Sequence, residues 1–548
     1  MLKHVSHLTG LSDTSEILYA TPFGYMFPEL ADSPACRLPE GQDTIRALIR
    51  LGEVMASDDG VEANSSIPSF FTYFGQFIDH DLTARTDREG EVTEIFNSGG
   101  GAAGARPVPP AQVVAGLRNG RRPQFDLDSV YADGPAFSDR VGATTSSDAL
   151  YRNFRFRLQG PDGGLIDLPR LRPAETDLLS NPRQALIGDQ RNDENTNISQ
   201  LHAAILAFHN AVMDGLALEG TTELQAFIQA RQLVRWVYQR IVVEEYLKTV
   251  CMPDIVEEVL RGGPAFYGPI AGGMPLFMPL EFSVAAFRMG HSMIRPSYQL
   301  RGTEATIQQI LGLAGKGRPA GPGGAALEDP LEPQAGSTEN AYRLKPGFTV
   351  DWSHFIGKGA ANKARRLDPF IARGLTQLTF ERLQGTLMAQ LATRNLLRAY
   401  SLSLPTGQAV AAAMGIVPLT AAELAGSHEG LREVFGASAL GGRTPLWFYV
   451  LREAELQGDG EHLGVVGSRI LAETMVGLLW KDPTSYLMSY GKGRSIRKEG
   501  IALPRAGGRV LVGSFAELLA YAGLHGDAAT LKPDPHRDRQ GQPVQSAG

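Results

Sequence analysis

The sequence predicts a mainly α fold: a single large helical domain with few short strands. Three observations carry this expectation. Apolar residues recur at helical spacing in Leu201, Ile205, Phe208 and Val212, in Phe380, Leu383, Leu387 and Leu391, and more loosely in Phe227, Leu233, Val237 and Ile241. No run of alternating strands and helices marks a doubly wound sheet, and no internal repeat is evident. Finally, 548 residues with 43% apolar and 20% charged content describe a folded chain able to bury a large core, not a disordered one.

Taken in order, residues 1–45 read as an N-terminal arm carrying Pro22, Pro28, Pro34 and Pro39, laid over the surface of the domain. Helical periodicity begins near Asp43 with Ile45, Leu48 and Leu51, and the domain proper is expected over residues 46–531. Composition marks loops at Gly99–Pro110 and at Gly315–Gly336, the second long enough for an insertion or flap. Residues 532–548 form a polar, proline-bearing tail expected to be disordered.

The totals exclude several functions. A net charge of −7 argues against general affinity for nucleic acid, and no lysine-rich run suits an anionic membrane surface. Two cysteines, Cys36 and Cys251, allow one bridge but no disulfide framework and no thiolate metal site. The first residues lack the apolar core of a signal peptide, and no stretch reads as a transmembrane helix. A cytoplasmic protein is expected, signal-independent export being compatible with the same features. Gly99, Gly101 and Gly104 formally fit a dinucleotide glycine pattern, but the following ARPVPP cannot open the required helix. Neither a phosphate-binding glycine–lysine loop nor a His-Glu-x-x-His zinc signature occurs.

Chemistry gathers elsewhere. The stretch SFFTYFGQFIDHDLT ends an aromatic helix on Asp79-His80-Asp81, and Ser65, Ser66 and Pro68 are read as that helix's start. Gln76 and His80 share a face, while Asp79 and Asp81 are swung about 100° to either side. The triplet therefore permits three separate contacts, although a buried, hydrogen-bonded histidine at a helix end explains it too. In Gly188-Asp189-Gln190-Arg191-Asn192-Asp193-Glu194-Asn195 the acids suit a helix start, but Arg191 opposes the dipole and needs another partner. Arg288-Met289-Gly290-His291 lies on a helix that must end by Arg295, before Pro296, and Gly290 leaves room for something flat against the backbone. Asn395, in Arg394-Asn395-Leu396-Leu397-Arg398, is placed to accept a histidine N–H and orient that ring.

These motifs, in this order, resemble the animal-type haem peroxidase family (the peroxidase–cyclooxygenase superfamily) in the form of its bacterial members. The matches are Gly75-Gln76 with Asp79-His80-Asp81, Phe125-Asp126-Leu127-Asp128-Ser129-Val130-Tyr131, Arg191-x-x-Glu194, Arg288-x-Gly290-His291 and Asn395-x-x-Arg398, spanning Phe70 to Pro405. The resemblance implies haem b and hydrogen peroxide with a small organic or halide donor. It makes His80 the distal base, Arg191 the distal cation, Gln76 a distal amide holding water or halide, and His291 the iron ligand oriented by Asn395. Arg398 and Arg288 would lie by the propionates. Asp79 and Glu194 match the carboxylates that form haem esters in mammalian members, while Asn195 stands where a third link would need methionine.

Calcium is implied at Asp81, Asp126 and Asp128 with the carbonyls of Gln124 and Arg122, although Arg122 replaces the family's threonine. Two rival readings follow. The superfamily's fatty-acid oxygenases carry a radical-forming tyrosine where this chain has Arg288, and a non-catalytic haem-binding or adhesion protein would not need His80 and Arg191. His202 and His209 are read as structural, and His354 receives no role. Donor and oligomeric state are not legible.

Overall fold

The computed structural model describes residues 21–56, 64–84, 105–132, 150–160, 166–170, 181–268, 276–311, 313, 326–337, 339–375, 390–491 and 499–534. Expectations for residues 1–20, the glycine run 99–104, most of the segment 312–325, Phe380, Leu383 and Leu387, and the tail beyond Asp534 lie outside them. The longer helices are α1 (Gln42–Met55), α2 (Phe70–Leu82), α3 (Thr196–Leu218), α4 (Glu223–Ile241), α5 (Leu391–Ser401), α6 (Leu446–Gly458) and α7 (Val465–Lys481). The described strands are short and form two- and three-stranded ribbons, as a mainly α chain requires.

The Leu201 stripe makes α3 the central helix. Leu201, Ile205, Phe208 and Val212 are all buried, and α3 packs along α4 and against α2. Its start is set by Asn195, whose side-chain oxygen accepts the Ile198 N–H at 3.0 Å. By length and hydropathy α3 resembles a membrane span, but two-thirds of its most apolar stretch is buried inside the protein. A single apolar cluster runs from Phe23 to Leu531.

Several local expectations are corrected. Ser65, Ser66 and Pro68 do not open α2; Asn64–Pro68 is a strand paired antiparallel with Lys363–Arg365. Its serines are used across that ribbon, Ser65 donating to the Ala364 carbonyl at 3.0 Å and the Ser66 hydroxyl to Glu461 at 2.6 Å. The helix begins only after Ser69. The arm is not merely laid on the surface from Thr21 onward. Thr21–Gly24 joins Arg118–Asn119 and Met278–Pro279, Phe23 is fully buried, and Glu281 accepts the Met26 and Phe27 N–H groups at 2.8 and 3.1 Å. Within the segment read as loop up to Gly336, Leu331–Pro333 pairs with Tyr342–Leu344. Cys36 and Cys251 are both free thiols.

The helix expected around His291 is not a regular α-helix. A π turn over Glu281–Ala285 passes through Ala285 (φ −123°, ψ −81°) into a 3₁₀ turn over Ala286–His291. In a 3₁₀ turn residues three apart eclipse, so Arg288 and His291 rise on one line.

Candidate active site

At the end of α2 the triplet separates as its helical spacing demands. His80 is buried, with Nδ1 2.8 Å from Asn192 Oδ1 and Nε2 3.7 Å from Glu194 Oε1. Gln76, one turn earlier, donates to that same Glu194 oxygen and accepts from Asn195 Nδ2 at 3.0 Å. Asp79 is half-buried and accepts from the Thr83 hydroxyl at 3.0 Å. Asp81 points into the interior and is fully buried. Gly75 keeps α2 close to its neighbour, for a Cβ there would come within 2.6 Å of the Tyr246 hydroxyl. Burial, with Arg191 next, holds the His80 imidazole neutral by lowering its pKa to about 3.

The segment before α3 supplies the partners. Asp189 caps a 3₁₀ turn over Gln190–Asp193 by accepting the Arg191 N–H at 3.0 Å. Arg191 finds its missing partner here: Nη2 donates to Asp189 at 2.8 Å and to the His80 carbonyl at 2.9 Å, which braces the guanidinium beside the imidazole. Burial alone would raise the Asp189 carboxyl, yet Arg191 and Arg121 hold it well below the usual range. Gly188 lets this segment meet the Asp126–Tyr131 loop, since a Cβ would stand 2.7 Å from the Ser129 carbonyl oxygen. Asp193, read as a helix-start acid, has a different task. It forms a two-pronged ion pair with Arg170 at 2.6 Å for each prong, both side chains completely buried.

His291 is partly exposed, and Asn395 on α5 faces its Nδ1 at 2.9 Å. The expectation that Asn395 accepts the ring N–H is not met as drawn: its amide nitrogen faces the ring and donates. A metal at Nε2 would need the ring proton on Nδ1, and therefore the amide turned to accept. Around His291 the charge is positive. Arg288, buried, donates to the Ser283 carbonyl at 2.9 Å, and Arg398 on α5 is also buried.

Arg394, assigned no role from sequence, is the surprise of α5. Its Nε is buried with no hydrogen-bond partner, and burial, then Arg288, lower its pKa to about 10. Burial, Arg288 and Arg394 together push His291 well below its ordinary value. A Cβ on Gly290 would meet nothing within 4 Å, so the backbone beside His291 is open.

The second cluster lies behind His80. Carboxylate oxygens of Asp81, Asp126 and Asp128 lie within 4.8 Å of one another, all three residues buried. Leu127, between the last two, adopts φ +58°, a left-handed conformation uncommon for a residue with a side chain and a mark of a constrained loop. Neither Asp128 oxygen has a hydrogen-bond partner, although the Arg121 guanidinium stands 3.1 Å from Oδ1. Burial, then repulsion from the neighbouring carboxylates, raises Asp81. Arg122 departs from its expected part. Its guanidinium meets Asp126 at 2.6 Å, and its carbonyl accepts the Gln124 N–H at 2.7 Å.

His202 and His209 do not form a metal pair. His209 Nδ1 meets the Tyr131 hydroxyl at 2.9 Å, while His202 Nδ1 meets Asn192 Nδ2 at 3.0 Å. Asn192 was missed from sequence because an asparagine beside an arginine carries no spacing signal. Only its contact with His80 reveals it.

A model of the animal haem peroxidase family matches residues 124–428 of the chain. Thyroid peroxidase of Canis lupus familiaris is 29% identical over 332 residues, covering 50% of this chain and 33% of that protein. A peroxidase-like protein of Margaritifera margaritifera is 27% identical over 264 residues, covering 41% and 31%. The chain thus spans about a third of the length of these curated relatives. Among solved structures, peroxidase A from Dictyostelium discoideum superposes with a TM-score of 0.56 at 15% identity, covering 95% of this chain and 97% of that one. A fatty acid alpha-dioxygenase of Oryza sativa gives 0.52 at 13% identity, covering 87% and 79%. Both structural likenesses concern the fold.

Proposed function

The chain belongs to the animal haem peroxidase family, a family of oxidoreductases, and from that premise we propose that it binds haem b and uses hydrogen peroxide to oxidise a small organic or halide donor. The observation that carries the reading is the pairing of a neutral buried imidazole, His80, with a braced guanidinium, Arg191. The residues present suit the cofactor. Open backbone at Gly290 leaves room for a flat ring, and the buried, unpartnered Nε of Arg394 beside Arg288 and Arg398 calls for anionic groups such as propionates.

In this reading His291 is the iron ligand, Asn395 orients it, and Arg288, Arg394 and Arg398 receive the propionates. Haem, when bound, supplies the redox-active iron that takes the oxidising equivalents of peroxide. His80 Nε2 takes a proton from one peroxide oxygen and returns it to the departing one, while Asn192 keeps the Nδ1 proton in place. Arg191, always charged, stabilises the negative charge that develops as the O–O bond breaks; its contacts to Asp189 and to the His80 carbonyl use Nε and Nη2, which leaves Nη1 for the peroxide. Gln76 and Glu194, bonded to one another, line the same space.

The dioxygenase reading shares the fold but requires a tyrosine at position 288, where arginine donates to Ser283 instead. The non-catalytic reading leaves the buried base His80 without a task. The direct test is single-turnover mixing of the haem-reconstituted chain with hydrogen peroxide. A Soret change that reverses with an added donor supports the proposal, and an unresponsive band refutes it.

Asp79 and Glu194 are the accessible carboxylates of the site, and they are proposed to esterify haem. Haem is then expected to stay with the chain through denaturing electrophoresis and to be lost in an Asp79→Ala/Glu194→Ala variant. Loss from the unaltered chain rules the links out.

Calcium is proposed at Asp81, Asp126 and Asp128, whose buried oxygens suit a hard cation. The arginines Arg121 and Arg122 already offset part of that charge. Arg122→Ala is therefore expected to tighten calcium binding at least about tenfold, or roughly 1.4 kcal/mol, measured by calorimetry on chelator-stripped protein. An unchanged or weaker affinity would show that Arg122 does not compete with the ion.

A further inference from the structure

Two buried imidazoles share one amide. His80 Nδ1 lies 2.8 Å from Asn192 Oδ1, and His202 Nδ1 lies 3.0 Å from Asn192 Nδ2. His80 is 5% exposed, and Asn192 and His202 are 0% exposed, so water is shut out of the relay. A primary amide accepts at one end and donates at the other. Both rings present Nδ1 to it, and the end each ring meets fixes that nitrogen: Oδ1 accepts the N–H of His80, and Nδ2 donates to a lone pair on His202. They must therefore be opposite tautomers. The ring at Oδ1 carries its proton on Nδ1 and keeps a lone pair on Nε2. The ring at Nδ2 is the reverse.

The amide's orientation thus decides whether His80 can act as a base. Turned by 180°, Asn192 would donate to His80 Nδ1, the His80 proton would sit on Nε2, and the lone pair facing Glu194 would be gone. The two ends of an amide are nearly equal in size, so sterics alone do not choose between them. Among the described residues the only side chain bonded to the far end is His202. That ring also keeps a buried Nε2 with no hydrogen-bond partner, a cost which an aliphatic residue would avoid. Packing alone does not account for it.

We propose that His202 is a positioning residue: by accepting the Asn192 N–H at its Nδ1, it fixes the amide and so holds His80 in the tautomer with an unprotonated Nε2. The proposal deepens the function proposed above and rests on its reading of His80 as the distal base. His80 is also surrounded by Arg191, Asp189, Arg121 and Glu194. None of these bonds the Asn192 side chain.

Cyanide association with the haem-reconstituted full chain tests this without turnover. Cyanide arrives as HCN, its proton passes to Nε2, and the anion binds the iron; the Soret shift reports the rate. His202→Leu should slow association about tenfold to a hundredfold, as loss of a ring-orienting partner does elsewhere. His202→Gln, which returns an acceptor oxygen, should stay within about threefold of the unaltered chain. Asn192→Asp accepts at both ends and makes His202 redundant, so adding His202→Leu to it should change the rate by no more than about twofold.

Wild-type rates in His202→Leu, equal losses in the leucine and glutamine variants, or additive losses in the double variant would each overturn the proposal. If the leucine variant does not take up haem, His202→Met against His202→Gln makes the same comparison. The two readings fail separately. A wild-type rate no faster than that of His80→Leu removes the base assignment and the relay with it. Intact cyanide behaviour without any peroxide response removes only the peroxidase reading.

Discussion

Replacing His80 with alanine is expected to slow the reaction of the haem-loaded chain with hydrogen peroxide by about 10²–10⁴-fold, the range for loss of a positioned general base. Haem should remain bound, because His80 shares no hydrogen bond with the His291 side. His80 bonds Asn192, whereas His291 bonds Asn395 on another helix. His291→Ala should do the opposite and abolish tight haem uptake. Stopped-flow absorbance separates the two effects. Peroxide reactivity unchanged in His80→Ala would sink the assignment of the base. Arg191→Lys should also be strongly impaired, since a point charge cannot hold Asp189 and the His80 carbonyl while reaching the peroxide.

The second large effect concerns stability. Arg170→Met removes one member of a fully buried ion pair and leaves Asp193 with the Ala185 N–H, 2.9 Å away, as its remaining hydrogen bond. Breaking such a pair on one side costs about 3–5 kcal/mol. Asp193 lies between Asn192 and Glu194, so the loss should also loosen the turn that carries Arg191 and weaken haem affinity. The double change Arg170→Met/Asp193→Leu should recover part of the lost stability, because it removes the stranded Asp193 charge, while buried Asp167, 3.8 Å from Arg170 Nε, loses its cation in both variants. Urea unfolding midpoints decide it. Arg170→Met unfolding at the same midpoint as the unaltered chain would mean that solvent reaches Asp193.

The arrangement of the candidate site was legible where it is written in short-range spacing. The distribution of Gln76, Asp79, His80 and Asp81 follows from the period of a helix, and the structure separates them as that period requires. The α3 stripe likewise predicted a buried helix, because burial of one face is a periodic property of the chain. Local signals failed where two structures compete for the same residues. Ser65, Ser66 and Pro68 suit a helix start as well as a strand, and pairing with Lys363–Arg365 decided for the strand. The turn carrying His291 is 3₁₀ and not α, which periodicity does not distinguish over six residues.

Only the tertiary structure could reveal partners brought together from distant parts of the chain. Asp193 reads as a helix-start acid until Arg170 is found against it, and Arg122 reads as a lost ligand until its guanidinium is found on Asp126. Asn192 and His202 carry no motif, yet together they set where a proton sits on His80. The sequence by itself determined which side chains a helix displays on each face, because that depends on neighbours a few residues apart. The fold decided which charge each one meets and which tautomer each ring holds, because those depend on burial and on atoms supplied from elsewhere in the chain.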